Sequence, residues 1–98
     1  MAARATDLPL TARQIVASMR DGWNDVTIAV HVTGHARPFV FGISTLWNNK
    51  YAGVHDVPTL MRHLKARCRD YWFARELDQP GKVRIKVIEV RPFPENRR

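Results

Sequence analysis

The sequence predicts an α+β fold, in which two helices pack on one face of a three-stranded, mostly antiparallel sheet. Two segments show helical spacing of apolar residues, three alternate with a period of two, and their order is α-β-β-α-β. Placing both helices on one sheet face buries every apolar stripe at once. The 98 residues suit one domain, predicted as a flexible lead (1–9), an α+β domain (10–91) and a basic tail (92–98).

The start of the first helix is marked by two local signals. Thr11 and Gln14 have the spacing of a capping box, in which each side chain hydrogen-bonds the other's backbone amide. Leu10 and Ile15 stand where a hydrophobic staple packs. Gly22 is predicted to end the helix in the left-handed conformation.

The next two segments predict an antiparallel hairpin. Val26, Ile28, Val30 and Val32 alternate with small or polar residues, as in a half-buried strand. Residues 34–38, which begin with Gly34 and end with Pro38, are predicted to form a short turn, and a second strand is predicted over 39–46.

A second, longer helix is predicted from an Asp56 cap to about Leu77, with Pro58 tolerated in its first turn. Its apolar stripe comprises Val57, Leu60, Met61, Leu64, Cys68, Tyr71 and Trp72.

The third strand covers residues 82–91. Ile88 and Val90 interrupt its alternation, which indicates either a bulge or a strand end covered on both sides. This strand either pairs antiparallel beside the first strand, the arrangement we favour, or parallel beside the second.

Charge is the feature that points to a partner. Sixteen Lys and Arg against nine Asp and Glu give a formal charge of +7, which favours an anionic target such as nucleic acid or a nucleoprotein complex. The single cysteine, Cys68, excludes an intrachain disulfide and a multi-cysteine zinc site. With neither a signal peptide nor an apolar run of about 20 residues, we expect a cytoplasmic protein without membrane contact.

Nucleic-acid contacts are predicted mainly on the exposed side of the second helix. Arg62, Lys65 and Arg69 stand at i, i+3 and i+7, a spacing that forms a basic ridge suited to a phosphate backbone. The alternative is an ordinary solvated helix face. Further positive charge comes from Lys50, Arg84, Lys86 and the tail residues Arg97 and Arg98.

The loop after the second strand is predicted to bind a partner through Trp47, Asn48, Asn49 and Tyr51. Aromatic rings stack on bases or bind protein surfaces, and asparagine both donates and accepts hydrogen bonds. The alternative is that the two aromatic residues pack as core while the asparagines turn the chain.

The sheet face away from the helices is half apolar, which favours either a docking surface or a cover formed by one of the termini. It is predicted to contain Thr27, Ala29, His31, Thr33, Val40, Gly42, Ser44, Leu46, Arg84, Lys86, Ile88 and Val90.

No catalytic, metal or cofactor site is expected. The four histidines lack zinc-site spacing, no GxSxG sequence occurs, and Cys68 lies on an apolar stripe. The leading hypothesis is a small non-enzymatic binding module that acts on or beside nucleic acid or a nucleoprotein complex. The alternative is a small inhibitor or adaptor, of the kind that phage or mobile elements encode, which docks on a larger protein complex through its open sheet face. A homodimer is compatible with both hypotheses.

Overall fold

The computed structural model describes residues 8–47 and 54–93, and it confirms the α+β fold. The three strands lie in the order β2-β1-β3, and both sheet pairings are antiparallel, including the favoured pairing of the third strand with the first. The elements are α1 (Ala12–Ser18), β1 (Gly22–Val32), β2 (Phe39–Trp47), α2 (Val57–Arg67), two 3₁₀ helices (Cys68–Asp70 and Ala74–Asp78) and β3 (Val83–Pro92).

The capping box of α1 is present. Thr11 Oγ1 accepts from the Gln14 amide at 3.1 Å, and Gln14 Oε1 accepts from the Thr11 amide at 2.8 Å. The helix ends at Ser18, before the predicted Gly22. The connection between α1 and β1 is held by the buried side chain of Asn24, which accepts from the Arg20 amide and donates to the Arg20 carbonyl. Gly22, at φ +102°, instead begins β1.

A bulge in β3 explains the broken alternation of its sequence. Thr27 lies opposite Glu89 but Ile28 lies opposite Val87, so Ile88 is the extra residue. After the bulge, Val90 lies opposite Val26 and packs against the core. The prediction that Val90 belongs to the open face was therefore wrong.

One core lies between the sheet and the helices. Ile15 of α1 and Leu60 and Leu64 of α2 belong to the same buried cluster as the inward row of β1, which places both helices on one face. This cluster also contains Val26, Ile28, Val30, Val32, Ile43, Trp47, Val54, Cys68, Phe73, Leu77 and Val87.

The second helix ends at Arg67, about ten residues earlier than predicted. Beyond it, the chain tightens into 3₁₀ turns, closed by bonds from the Tyr71 amide to the Cys68 carbonyl and from the Ala74 amide to the Tyr71 carbonyl. Phe73 is fully buried. Since successive helical residues are rotated by about 100°, Tyr71, Trp72 and Phe73 could not share one buried helix face.

Parts of both outer strand edges are occupied by hydrogen bonds. On β2, the Ser44 carbonyl accepts from Arg67 Nη1 at 3.4 Å, and the Leu46 carbonyl accepts from the Val54 amide at 3.4 Å. On β3, the Val87 carbonyl accepts from the Leu10 amide at 2.8 Å. Among the helices of the described segments, none has the length and apolar character to cross a membrane.

Candidate nucleic-acid interface

Six rings meet where the turn after α2 packs against the start of β2. Neighbouring centroids in this aromatic cluster lie 4.5–6.2 Å apart. Its members are His35, Phe39, Phe41, Tyr71, Trp72 and Phe73.

The aromatic cluster is anchored by a buried ring on its inner side and exposes two rings to solvent on its outer side. Phe73 is fully buried and holds the turn against the core. Tyr71 stacks on Phe41 with centroids 4.5 Å apart and planes at 19°, and Trp72 meets Phe39 edge to face at 4.9 Å. Even so, Tyr71 is 41% and Trp72 is 54% exposed. Large rings that are both held in place and exposed are typical of binding surfaces.

Sequence reasoning missed these two residues because it placed both on the buried stripe of a longer helix. A signal was present in the run of three consecutive aromatic residues, since a helix cannot bury all three on one side. Either at least one of the three rings had to face solvent, or the helix had to end before them.

A polar cavity of about 270 Å³ lies at the turn between β1 and β2. We call this part of the molecule, formed by the turn, the adjoining strand ends and the aromatic cluster packed against them, the hairpin end. His35 lines the cavity and its ring lies 4.8 Å from Trp72, so the cavity borders the aromatic cluster. The lining residues are His31, Val32, Thr33, Gly34, His35, Ala36 and Arg84.

Arg84 and Lys86, both predicted to contact nucleic acid, lie at the hairpin end on the open sheet face. Arg84 lies opposite His31 across the β1–β3 pairing, and Lys86 lies opposite Ala29. Burial lowers the pKa of His31, and the charges of Lys86 and Arg84 lower it further. A pKa below the ordinary 6.5 favours the neutral imidazole at pH 7, so the positive charge beside the cavity comes mainly from the two basic side chains.

Three further arginines flank the aromatic cluster along the chain. Arg37 stands between His35 and Phe39, Arg67 ends α2, and Arg75 follows Phe73. Within residues 8–47 and 54–93, none of these three arginines forms a salt bridge with a carboxylate. Their charge remains available to an anion.

The predicted basic ridge on the second helix is partly neutralised. Arg69 lies beyond the helix end and forms a bidentate pair with Asp78, and Lys65 Nζ is 3.5 Å from the same carboxylate. Arg62 donates to Thr59 Oγ1 at 3.3 Å. Hydrogen bonds from Thr59 lower the pKa of Asp56, and the charge of Arg62 adds a smaller effect in the same direction. The positive charge of the ridge is therefore smaller than the sequence spacing implies, because the 3₁₀ segments bring Asp78 back beside Lys65 and Arg69.

Of the predicted loop site, the structure describes only Trp47. Trp47 is only 6% exposed and belongs to the core, in agreement with the alternative interpretation of that residue. The other predicted residues of this loop, Asn48, Asn49, Lys50 and Tyr51, lie outside the described residues, as do Arg97 and Arg98.

The far end of the open sheet face carries a second apolar patch. Trp23 lies opposite Leu46, and the Phe93 amide donates to the Trp23 carbonyl at 3.2 Å. All three side chains are exposed, Trp23 by 52%. Because they stand at the opposite end of β1 from the turn, this far-end patch is separate from the aromatic cluster.

No group of three His, Cys, Asp or Glu side chains in the described segments is arranged to hold a metal ion. Cys68 is fully buried, and burial raises the pKa of its thiol, which disfavours the reactive thiolate. No protein-family model matches the chain, and no match was found among curated proteins or solved structures. The geometry of the hairpin end is thus the basis for assigning a function.

Proposed function

We propose that this protein is a small, basic, non-enzymatic binding module that acts on or beside nucleic acid or a nucleoprotein complex. The observation that supports the proposal is the hairpin end itself. There, the exposed ring of Trp72 lies 4.8 Å from His35, which lines a polar cavity bordered by Arg84. Aromatic rings and cations together match the two chemical components of a polynucleotide, its bases and its phosphates.

The binding energy in this proposal is mainly electrostatic. Each Lys or Arg that neutralises a phosphate releases a condensed counterion, so affinity falls as the salt concentration rises. Arg84, Lys86 and Arg37 supply charge at the hairpin end. Lys65 and Arg69 contribute less than a simple count of basic residues implies, because both share Asp78.

The test is the affinity of the full chain for a generic single strand and a generic duplex across a salt series, measured by fluorescence anisotropy. We expect log K to fall linearly with log salt, and the double variant R84Q/K86Q to reduce the slope by about 1.4–1.8. The matched control is R91Q, on the same strand, because Arg91 is already paired with Glu89 at 2.9 Å. A flat salt response, or no binding at low salt, contradicts the proposal.

A second candidate function is supported by the far-end patch of Trp23, Leu46 and Phe93. An exposed apolar patch at one end of an open sheet face favours docking on a larger protein complex or on a second copy of the chain. In that case W23A abolishes partner capture and R84Q/K86Q preserves it. Light scattering of the isolated chain separates a homodimer from a partnership with another protein.

A further inference from the structure

We infer that the hairpin end binds single-stranded nucleic acid, with an unpaired base against Trp72 and a neighbouring phosphate at the cavity beside Arg84. This inference rests on the proposed function and narrows it to one class of polynucleotide. It depends on two features of the hairpin end that purely electrostatic binding to phosphates would not need.

The first feature is a rigid, exposed stacking surface. Trp72 contacts His35, Phe39 and Phe73 at centroid distances of 4.8, 4.9 and 5.3 Å, yet 54% of it remains exposed. Neighbouring rings hold the indole in place, so little conformational freedom is lost when a base stacks on it. Such stacking tolerates any base, because every base has a π face.

Duplex nucleic acid fits this surface poorly. In a double helix the base faces are already stacked on one another, and only their edges are accessible in the grooves. The exposed rings project from a turn of 3₁₀ structure that follows the end of α2. Only unpaired nucleotides offer a free base face to such rings.

The second feature is the adjacency of the rings to the cavity. His35 belongs to both, since it contacts Trp72 and lines the cavity with His31 and Arg84. A strand whose base lies on Trp72 can reach the polar, positively bordered cavity past His35, round the end of the sheet. A single strand carries both a base face that can stack on the ring and a neighbouring phosphate that can meet the cation.

The experiment compares three ligands of equal length, about a dozen nucleotides: a thymidine homopolymer, a strand of abasic sites, and a duplex. The abasic strand keeps the phosphates but removes the bases, so it isolates the stacking contribution. With the wild-type chain we expect the thymidine strand to bind roughly 5- to 150-fold more tightly than the abasic strand, the range that corresponds to one base stacked on an aromatic side chain. The duplex should bind no better than the abasic strand.

Two tryptophan variants identify the ring that is responsible. W72A should bring the ratio of thymidine to abasic affinity close to one, whereas W23A, at the opposite end of β1 and equally exposed, should leave it unchanged. Two outcomes overturn this inference: equal affinity for the thymidine and abasic strands, or tighter binding of the duplex. If log K still falls with log salt as expected, the proposed function stands. Failure to bind any of the three ligands at low salt overturns both. Because the comparison of ligands uses the wild-type chain, it stays decisive even if W72A is unstable.

Discussion

Asp78 accepts two hydrogen bonds from Arg69, one from each terminal guanidinium nitrogen, at 2.9 Å each. The pair ties the end of the second 3₁₀ helix back to the first. It thereby spans the turn that exposes Tyr71 and Trp72. The hydrogen bonds from Arg69 lower the pKa of Asp78 to about 2, and the charges of Arg69 and Lys65 act in the same direction.

Substituting Asp78 should destabilise the fold in a pH-dependent way. The pKa of Asp78 is lower in the folded than in the unfolded chain, so its carboxylate stabilises the fold above pH 3.8 and loses this effect as the pH falls towards 2. We expect D78N to lower Tm by a few degrees at pH 7, because both partners are exposed. Thermal unfolding by circular dichroism should show wild type and D78N converging near pH 2. A constant difference from pH 7 to pH 2 would contradict this role.

Substitutions of the neighbouring residues Trp72 and Phe73 should lower the free energy of unfolding by very different amounts. F73A removes a fully buried ring and should reduce the free energy of unfolding by about 3–5 kcal/mol. W72A removes a ring that is more than half exposed and should cost less than about 1.5 kcal/mol. Urea unfolding of both variants measures the difference. Equal costs would indicate that α2 continues through these residues.

The stability of the fold should depend on the buried polar side chain of Asn24. It is fully buried, and its amide accepts from the Arg20 backbone at 3.2 Å and donates to the Arg20 and Gly22 carbonyls at 2.9 and 3.1 Å. N24A leaves these backbone groups without their side-chain partner and should cost about 1–3 kcal/mol in urea unfolding. S18A, on the exposed side of α1, is the control and should stay within about 0.5 kcal/mol of wild type. A neutral N24A would show that this connection does not need the side chain.

Stability should also fall on mild acidification. Burial lowers the pKa of His63, with Arg67 adding to the effect, and burial likewise lowers that of His31. Below pH 6.5 the unfolded chain therefore takes up protons before the folded chain does, and stability decreases until the folded histidines also titrate. Urea midpoints measured between pH 8 and pH 5 should decline, and H63L should flatten part of that decline. The double variant H31Q/H63L should flatten it further, whereas an unchanged decline would assign it to other groups.

The parts of the fold that local patterns determine could be predicted from the sequence. The capping box at Thr11 needs only residues three apart, and the alternation of β1 needs only its own residues. The interruption at Ile88 and Val90 indicated either a bulge or a strand end covered on both sides, and only the pairing with β1 decides for the bulge. The end of α2 could not be predicted in this way, because it depends on the burial of Phe73 and on a contact between Arg69 and Asp78, nine residues apart.

Predicting the candidate site was harder for the same reason. Arg84 and Lys86 were identified by charge, and they do lie at the hairpin end. Trp47 was selected as a loop residue, but it packs into the core because β2 extends to include it. The neutralising effect of Asp78 on Lys65 and Arg69 appears only once the chain has folded back on itself.

The occupied edge of β2 limits how the sheet can grow. An incoming strand would have to displace Arg67 from the Ser44 carbonyl and Val54 from the Leu46 carbonyl before it could pair along the whole edge. Amyloid-type stacking, which needs a long and uninterrupted row of peptide groups, is therefore disfavoured at that end of the strand. One guanidinium and one backbone amide thus shield the C-terminal part of this outer strand from pairing with another chain.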